Sequence, residues 1–227
     1  IGADLSQIEI RVLAAESKDP GLLQAFAEGH DFHAYVASQA FGKPIDQVSY
    51  DERNQAKAVG FGLIYGQSPR GLAARLGISL DEARHLHSKV LEPFPLAREY
   101  IRQRRASGMR GEAVSFRTGR TRELAGDRHQ RARCAVNYPI QGNAADVMVA
   151  GLGRAFKHLR HTSARPVLTV HDELVVECLE SDVQSASNAV ERALIEGMNT
   201  IYPSAERLGL TNGLVEVKSG QTWVDLK

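Results

Sequence analysis

The 227-residue sequence has little cysteine, with only Cys134 and Cys178 present. Both have apolar neighbours, and they lack the paired spacing of a zinc site. Two isolated cysteines do not make the framework of a disulfide-stabilised small domain. We therefore expect two reduced, buried thiols and a fold held by an apolar core, which a hydrophobic content of 43% can supply.

Long apolar runs are also missing. No stretch approaches the roughly 20 apolar residues that cross a bilayer, and no basic-then-apolar signal segment opens the chain. We expect an intracellular, cytoplasmic protein with no membrane partner. Because the chain begins Ile1-Gly2-Ala3-Asp4 without an initiator Met, we also expect it to be part of a longer protein.

Two common catalytic loops are absent from the sequence. It contains neither the GxxxxGK[ST] loop that cradles phosphates nor the GxSxG turn of α/β-hydrolases. Any phosphate chemistry would therefore depend on metal ions and individual side chains.

Charge is unevenly distributed although the net charge is only +1. Residues 98–133 contain eleven Arg and four acidic residues, whereas residues 171–227 contain four basic and ten acidic residues. A basic segment suits contact with a polyanion, and an acidic segment suits the binding of cations. The pattern favours a nucleic-acid surface together with a cation site.

The periodicity predicts strands at both ends of the chain and helices between them. Strands are expected at 1–5, 167–170, 174–177, 214–217 and 222–224, with a hairpin over 114–123. Helices are expected from residue 6, over 21–41 and over 50–65. Another is expected to begin at a Ser79–Glu82 capping box, and Pro93 and Pro95 would separate it from a helix that ends at about residue 106. The last helices are expected over 127–137 and 141–160, on either side of Pro139, and over 181–198. This order indicates an α+β fold rather than alternating βαβ units.

Adjacent carboxylates mark the expected turn at His171-Asp172-Glu173. A solvated acidic tip is one interpretation, and a magnesium site is the other, because Mg²⁺ prefers hard oxygen ligands. Asp4 at the first strand end could simply cap the following helix. If Asp4 and Asp172 lay on neighbouring strands, however, they could bridge two metal ions about 3.5–4 Å apart, as phosphoryl transfer requires.

A helix over 50–65 would align Arg53, Lys57, Phe61 and Tyr65, which recur every four residues. The stripe would span about 18 Å, comparable to an extended nucleoside triphosphate. Arg and Lys could bind phosphates, and the aromatic rings could stack on a base. An ordinary amphipathic helix with snorkelling cations remains the alternative.

Several segments together resemble the motifs of family A DNA polymerases, the bacterial DNA polymerase I type. They are Asp4-Leu5-Ser6-Gln7-Ile8-Glu9, Arg53-Asn54-Gln55-Ala56-Lys57 with Phe61-Gly62-Leu63-Ile64-Tyr65-Gly66, Val170-His171-Asp172-Glu173, and Gln141-Gly142-Asn143-Ala144-Ala145-Asp146. The resemblance covers the whole chain. Two departures are Leu5, where the family usually has Tyr, and Asn54, where a second Arg is common.

The resemblance implies a role for each residue of these motifs. Asp4, Asp172 and the backbone carbonyl of Leu5 would hold two Mg²⁺ ions, with Glu173 assisting catalysis. The nucleotide-binding residues would be Arg53, Lys57, Phe61, Tyr65, Gln7 and Glu9, the last as a steric gate against ribose. The primer–template contacts would be Arg133, Asn137, Gln141 and His171.

The resemblance also implies an architecture. The chain would be an antiparallel palm sheet with an inserted helical fingers subdomain, a truncated right hand without its thumb and other upstream domains. Palm would cover 1–20, with the first aspartate motif, and 127–227, with the second at 170–173. Residues 21–126 would be mainly fingers, including the helix 50–66.

The implied activity is template-directed addition of deoxynucleotides, from deoxynucleoside triphosphates, to primer–template DNA, in replication or repair. The expected location is a bacterial cell or a phage-infected host, with an organelle as the alternative. A single-subunit RNA polymerase and a DNA-binding fragment without catalysis are the two alternatives. Glu9 and Phe61-Gly62 favour the DNA enzyme over the first.

Overall fold

The computed structural model describes residues 1–64 and 68–226. Its strands, in chain order, are β1 (Gly2–Leu5), β2 (Val114–Ser115), β3 (Thr121–Arg122), β4 (Arg165–Val170), β5 (Glu173–Glu177) and β6 (Val215–Lys218). Its helices are α1 (Ile8–Ser17), α2 (Pro20–Ala27), α3 (Phe32–Phe41), α4 (Tyr50–Ile64), α5 (Pro69–Leu76), α6 (Leu80–Leu91), α7 (Pro95–Arg110), α8 (Arg128–His158) and α9 (Val183–Ile201).

The described residues form two compact units. Residues 1–8 together with the described residues from 142 onward make the sheet unit, and residues 9–141 make the helical unit. Since the sheet unit contains both ends of this sequence, the helical unit is an insertion in it. No helix in the described part is long and apolar enough to span a membrane.

The sheet unit is built on a four-stranded antiparallel sheet in the order β4-β5-β1-β6. In β1, Ala3 and Leu5 are fully buried while Asp4 between them is only half-buried. This alternation follows from the two-residue period of a strand, which sends successive side chains to opposite faces. Helix α9 contacts β1 and β6. The strand order places β1 at the centre, so Asp4 lies between two neighbouring strands.

The helical unit is organised by side chains that cap helix ends. Asp19 is fully buried, and its carboxylate accepts hydrogen bonds from Gly21 and Leu22 at the start of α2 and from Leu96 and Ala97 at the start of α7. One carboxylate therefore satisfies four backbone N–H groups that two helices leave without intrahelical partners.

The expected capping box at α6 is confirmed, with Ser79 and Glu82 each bonding the other's backbone N–H. A second capping box begins α4. The Ser49 hydroxyl accepts from the Glu52 N–H at 3.3 Å, and the Glu52 carboxylate accepts from the Ser49 N–H at 2.9 Å. The expected hairpin over 114–123 is also confirmed, with Ser115 paired to Thr121.

Three expectations for secondary structure are wrong. The helix expected over 21–41 is two helices, because Gly29 takes a left-handed φ of 68° after α2 and Asp31 caps a new helix. Residues 222–224 do not form a strand. Trp223–Leu226 is a short 3₁₀ helix, whose start is fixed by the Asp225 carboxylate accepting from the N–H and hydroxyl of Thr222.

The third error concerns Pro139, which was expected to separate two helices but lies inside the continuous helix α8. A proline removes one helical hydrogen bond, at a cost of about 3 kcal/mol. The fully buried side chains of Val136 and Ile140 on either side compensate for that loss through packing. The two cysteines are free, as expected, but half-buried.

Candidate active site

Three carboxylates lie in one row across the sheet. Asp4 in β1 is paired directly with Glu173 in β5 and with Glu216 in β6. Because directly paired residues of antiparallel strands project from the same face, the row is a consequence of the strand register. These residues line a cavity of about 280 Å³, which is completed by Gly2, Lys218 and Leu226.

Asp172 occupies the two-residue turn between β4 and β5. Its backbone carbonyl accepts a hydrogen bond of 2.9 Å from the Leu5 N–H. The structure therefore brings the hairpin tip to the end of β1, one residue beyond Asp4. The expectation that the two aspartates belong to neighbouring strand ends of one sheet agrees with this geometry.

The same turn is strained at His171, which has a φ of 56°. A positive φ at the first central residue of a tight hairpin turn favours glycine, and a side chain there costs on the order of 1–3 kcal/mol. Gln7, which follows the other aspartate by three residues, has a φ of 55°. A left-handed residue thus directly precedes Asp172, and another lies three residues after Asp4; Lys18, in the helical unit, has the same φ of 55°. Such strain in side-chain-bearing residues is concentrated at functional sites.

Glu173 is held firmly in its place. Its side chain is buried, and the indole N–H of Trp223 donates to its carboxylate at 3.3 Å. A Cβ added to Gly2 would lie 2.8 Å from the same carboxylate, so glycine makes room for it. Two residues distant in sequence therefore fix the direction of one acidic side chain.

Two polar side chains expected to contact substrate contain buried atoms that lack a hydrogen-bond partner in the described part of the chain. They are the Oε1 atom of Gln7 in the sheet unit and the Nδ2 atom of Asn137 in the helical unit. Leaving such an atom unsatisfied costs about 1–3 kcal/mol, so native proteins rarely do it without a functional reason.

The expected phosphate-binding residues lie on α4 in the helical unit. Lys57 is exposed, and Arg53 is held by Asp31, the N-cap residue of α3. His33 is nearly inaccessible, and burial is the main cause that lowers the pKa of its imidazole to about 4. The positive charges of Arg53 and Lys57 also lower this pKa, whereas the negative charge of Asp31 raises it. The imidazole is therefore neutral at pH 7.

The other expected contacts fall in different places. Tyr65 and the side chain of Phe61 lie outside the described residues. Glu9 is half-buried in the first turn of α1. Arg133, Asn137 and Gln141 share one face of α8 in the helical unit because they recur every four residues, whereas His171 is exposed in the sheet unit.

Sequence reasoning missed Asp31 and His33 as neighbours of Arg53 in the helical unit. It also missed Glu216 as a neighbour of Asp4 in the sheet unit. Asp31 carries the signal of an N-cap, an Asp directly before a helix, but nothing in that signal points to Arg53. Glu216 enters only through the register of β6 against β1, which no local pattern specifies.

The described residues contain no cluster of three or more His, Cys, Asp and Glu side chains that could hold a metal ion. Mg²⁺ does not need such a cage, because it is commonly bound through one or two carboxylates, with waters and substrate phosphates completing the shell. Asp4, Asp172 and the Leu5 carbonyl supply hard oxygen donors of this kind. The residues present therefore fit magnesium bound together with substrate.

Comparison with known proteins identifies the family. The sequence model described as DNA polymerase family A matches residues 1–225. The chain belongs to DNA polymerase family A. It is 36% identical to the thermostable DNA polymerase I of Thermus aquaticus over 234 aligned residues, which cover 100% of this chain and 27% of that protein. It is 41% identical to DNA polymerase I of Chloroflexus aurantiacus over 210 residues, covering 89% of this chain and 22% of that one.

A solved structure of the family has the same fold. The POL domain of Pol1 from M. smegmatis, in complex with DNA primer-template and dNTP, matches with a TM-score of 0.80 and 35% identity, covering 86% of this chain and 36% of that one. The resemblance to family A and the expected fold, an antiparallel sheet with inserted helices, are confirmed. The chain spans about a quarter of the length of the curated relatives.

Proposed function

We propose that this chain carries the polymerase site of a DNA-directed DNA polymerase, which adds deoxynucleotides to a primer 3′-hydroxyl as directed by a template, in replication or repair. The observation that supports it best is the meeting of Asp4 and the Asp172 turn, joined by the hydrogen bond from the Leu5 N–H to the Asp172 carbonyl. Membership of family A agrees with this activity.

The metal ligands in this proposal are Asp4, Asp172 and the backbone carbonyl of Leu5. When bound there, two Mg²⁺ ions would lower the pKa of the primer hydroxyl and neutralise the leaving pyrophosphate. Leu5 contributes through its backbone, so its apolar side chain, fully buried on the other face of β1, does not interfere. Glu173, held by Trp223, adds negative charge beside Asp4 without being a metal ligand.

The nucleotide contacts are assigned mainly to α4. Arg53 and Lys57 would bind the triphosphate, because guanidinium and ammonium groups match phosphate oxygens. Phe61 would stack near the sugar and base, and Tyr65 would guard the position of the template base. Glu9 would exclude a ribose 2′-hydroxyl, and the buried Oε1 of Gln7 would accept a hydrogen bond from the substrate side.

The primer–template contacts are assigned to Arg133, Asn137 and Gln141 on α8 and to His171. The exposed Arg133 suits a phosphate, and the buried Nδ2 of Asn137 can donate to a base or sugar oxygen. We propose that the sheet unit belongs to the palm and that most of the helical unit belongs to the fingers.

Single-nucleotide primer extension with Mg²⁺ tests the proposal. The 227-residue chain is assayed alone and as a chimera in which it replaces the matching segment of the Thermus aquaticus enzyme. We expect extension by the chimera and a loss of about a thousandfold or more in Asp172→Asn, since several kcal/mol of transition-state stabilisation are removed.

The matched control for this assay is Glu191→Gln, which removes the same charge from an exposed position on α9 and should extend normally. Strong extension by the Asp172→Asn chimera would contradict the proposal. Binding of primer–template without extension by the unsubstituted chimera would favour a fragment without catalysis, and a preference for ribonucleotides would favour an RNA polymerase.

A further inference from the structure

Arg53 is already engaged by a carboxylate. Its Nε atom donates to both oxygens of Asp31 at 3.2 Å, and its Nη2 atom donates to Oδ2 at 2.7 Å. The two residues are 22 positions apart and belong to different helices, so this is a specific tertiary contact. A bidentate pair fixes the plane of the guanidinium as well as its position.

Asp31 is itself fixed. Its Oδ1 atom accepts from the Ala34 N–H at 2.8 Å, and its carbonyl accepts from the Tyr35 N–H, so that residue 31 starts α3. Burial alone would raise the pKa of its carboxyl, but hydrogen bonds from Arg53 and Ala34 outweigh burial and hold the pKa below its usual value. The group is therefore ionised at neutral pH.

The backbone that carries Arg53 is anchored as well. Its N–H donates to the Ser49 carbonyl at 3.0 Å, in the turn that the Ser49–Glu52 capping box closes. Lys43 reinforces this turn through an ion pair of 2.7 Å with Glu52. Both partners of the Arg53–Asp31 pair thus project from helix starts that are held by their own hydrogen bonds.

The pair leaves much of the guanidinium available. An arginine has five N–H groups, and Asp31 takes the one on Nε and one on Nη2. Of the remaining three, one on Nη1 and one on Nη2 are parallel along the terminal edge of the same plane, which matches two oxygens of a phosphate. The Arg53 side chain is 33% exposed, so a ligand can approach it.

We propose that Asp31 is a positioning residue for nucleotide binding: it holds Arg53 by one edge so that the other edge is already oriented toward the triphosphate of an incoming nucleotide. The inference rests on the proposed function of α4. An ion pair this exposed contributes little to stability. An unheld arginine, in contrast, loses rotamer freedom each time it binds a ligand.

Competition is the opposite possibility, in which Asp31 would block phosphate. Repulsion between the carboxylate and a phosphate would act across the full width of the guanidinium and is screened by solvent. The bidentate contact uses only one edge, so a phosphate on the other edge does not need to displace Asp31. Orientation therefore outweighs repulsion.

The test is a titration of the ¹⁵N-labelled 227-residue chain with Mg²⁺–dATP, following the Arg53 Nε–H signal and the dissociation constant by NMR. In the unsubstituted chain we expect a slowly exchanging Arg53 signal that shifts on binding. In Asp31→Asn, which keeps an N-cap oxygen but loses the charge, we expect that signal to broaden and binding to weaken about 5- to 30-fold.

Two further variants separate the contact with Arg53 from the helix cap of α3 and from the loss of a charge elsewhere. Asp31→Ser also preserves the cap of α3 and should reproduce the loss of affinity. Asp51→Asn removes the same charge from an exposed residue on α4 and should bind like the unsubstituted chain. An equal loss in Asp51→Asn would show that the loss does not depend on the contact between Asp31 and Arg53, and would overturn positioning.

The Arg53→Ala variant separates failure of this inference from failure of the proposed function. If Arg53→Ala binds Mg²⁺–dATP normally, or if the unsubstituted Arg53 signal ignores the nucleotide, the nucleotide assignment of α4 is wrong. If Arg53→Ala binds weakly while Asp31→Asn binds normally or more tightly, only positioning is wrong. In the Arg53→Ala background, Asp31→Asn should cause no further loss, because Asp31 acts through Arg53.

Discussion

The backbone of Gly197 in α9 lies directly against that of Gly151 in α8, and a Cβ added at residue 197 would sit 2.6 Å from the Gly151 nitrogen. It would also lie 2.7 Å from the Val147 carbonyl oxygen. No side chain can rotate away to relieve these contacts, because they involve backbone. The two helices can approach this closely only if residue 197 is glycine.

Gly197→Ala should therefore lower the free energy of unfolding by about 2–3 kcal/mol, through overpacking that the helices must separate to relieve. Urea denaturation followed by circular dichroism measures it. Gly153→Ala on the neighbouring helix α8 is the control, since nothing lies within 4 Å of its added Cβ. It should raise stability by about 0.5–1 kcal/mol through helix propensity. Equal effects in the two variants would contradict the close approach.

Asp19→Ala should destabilise the helical unit by about 3 kcal/mol or more. The change leaves four backbone N–H groups at the starts of α2 and α7 without their acceptor, and at least part of this cluster is buried. Asp127→Ala provides the comparison, because the Asp127 carboxylate accepts from two N–H groups, those of His129 and Gln130, at an exposed helix start. Loss of that cap should cost about 1 kcal/mol. Thermal melting of both variants gives the difference.

Lowering the pH should destabilise the protein through the buried imidazole of His33. Burial lowers its pKa to about 4 from an ordinary value of 6.5, so between these values the unfolded chain binds a proton that the folded chain does not. Stability should consequently fall as the pH decreases from 6.5 to 4 and should show no further effect of this residue below 4.

The size of the His33 effect follows from the shift. The full difference would correspond to about 3 kcal/mol, and with solvent screening we expect about 1–2 kcal/mol. The measurement compares urea unfolding of the unsubstituted chain and His33→Gln at several pH values, since other groups contribute equally to both. Parallel stability curves for the two proteins would show that His33 titrates normally.

Glu9→Ala should relax sugar selection if Glu9 excludes the ribose hydroxyl. We expect the ratio of kcat/KM for a ribonucleotide over the matching deoxynucleotide to rise about 10- to 100-fold in the chimera, because a steric restriction near the sugar has been removed. Single-nucleotide extension with ATP and dATP measures the ratio. Glu16→Ala, on the same helix, should leave this ratio unchanged. An unaltered ratio in Glu9→Ala would show that Glu9 is not the steric gate.

Sequence reasoning predicted the parts of the site that are local. The aspartates at strand ends, the hairpin strands around Asp172 and the helix carrying Arg53 all have signals within a few residues. The ordered motifs then indicated the family. What it did not predict depends on distant partners: Glu216 joins Asp4 through strand register, and Asp31 meets Arg53 across 22 residues.

Two errors in secondary structure have the same origin. Pro139 breaks a helix by local rules, but burial of its neighbours in α8 outweighs the lost hydrogen bond. Conversely, the apolar pattern over 21–41 suggests one helix, although Gly29 and Asp31 end one helix and begin another. Tertiary packing decides the first case and backbone geometry the second, and neither is visible in periodicity alone.

The central position of β1 has a consequence for biosynthesis. Both of its neighbouring strands, β5 and β6, belong to the last 55 residues of this sequence. A ribosome therefore releases β1 long before either partner exists, and Asp4 stays separated from Glu173 and Glu216 until the helical unit has been synthesised. During that interval the strand presents two open edges, which are the surfaces most prone to pair with another chain. Because β1 has only four residues, the length of backbone that is exposed in this way is small.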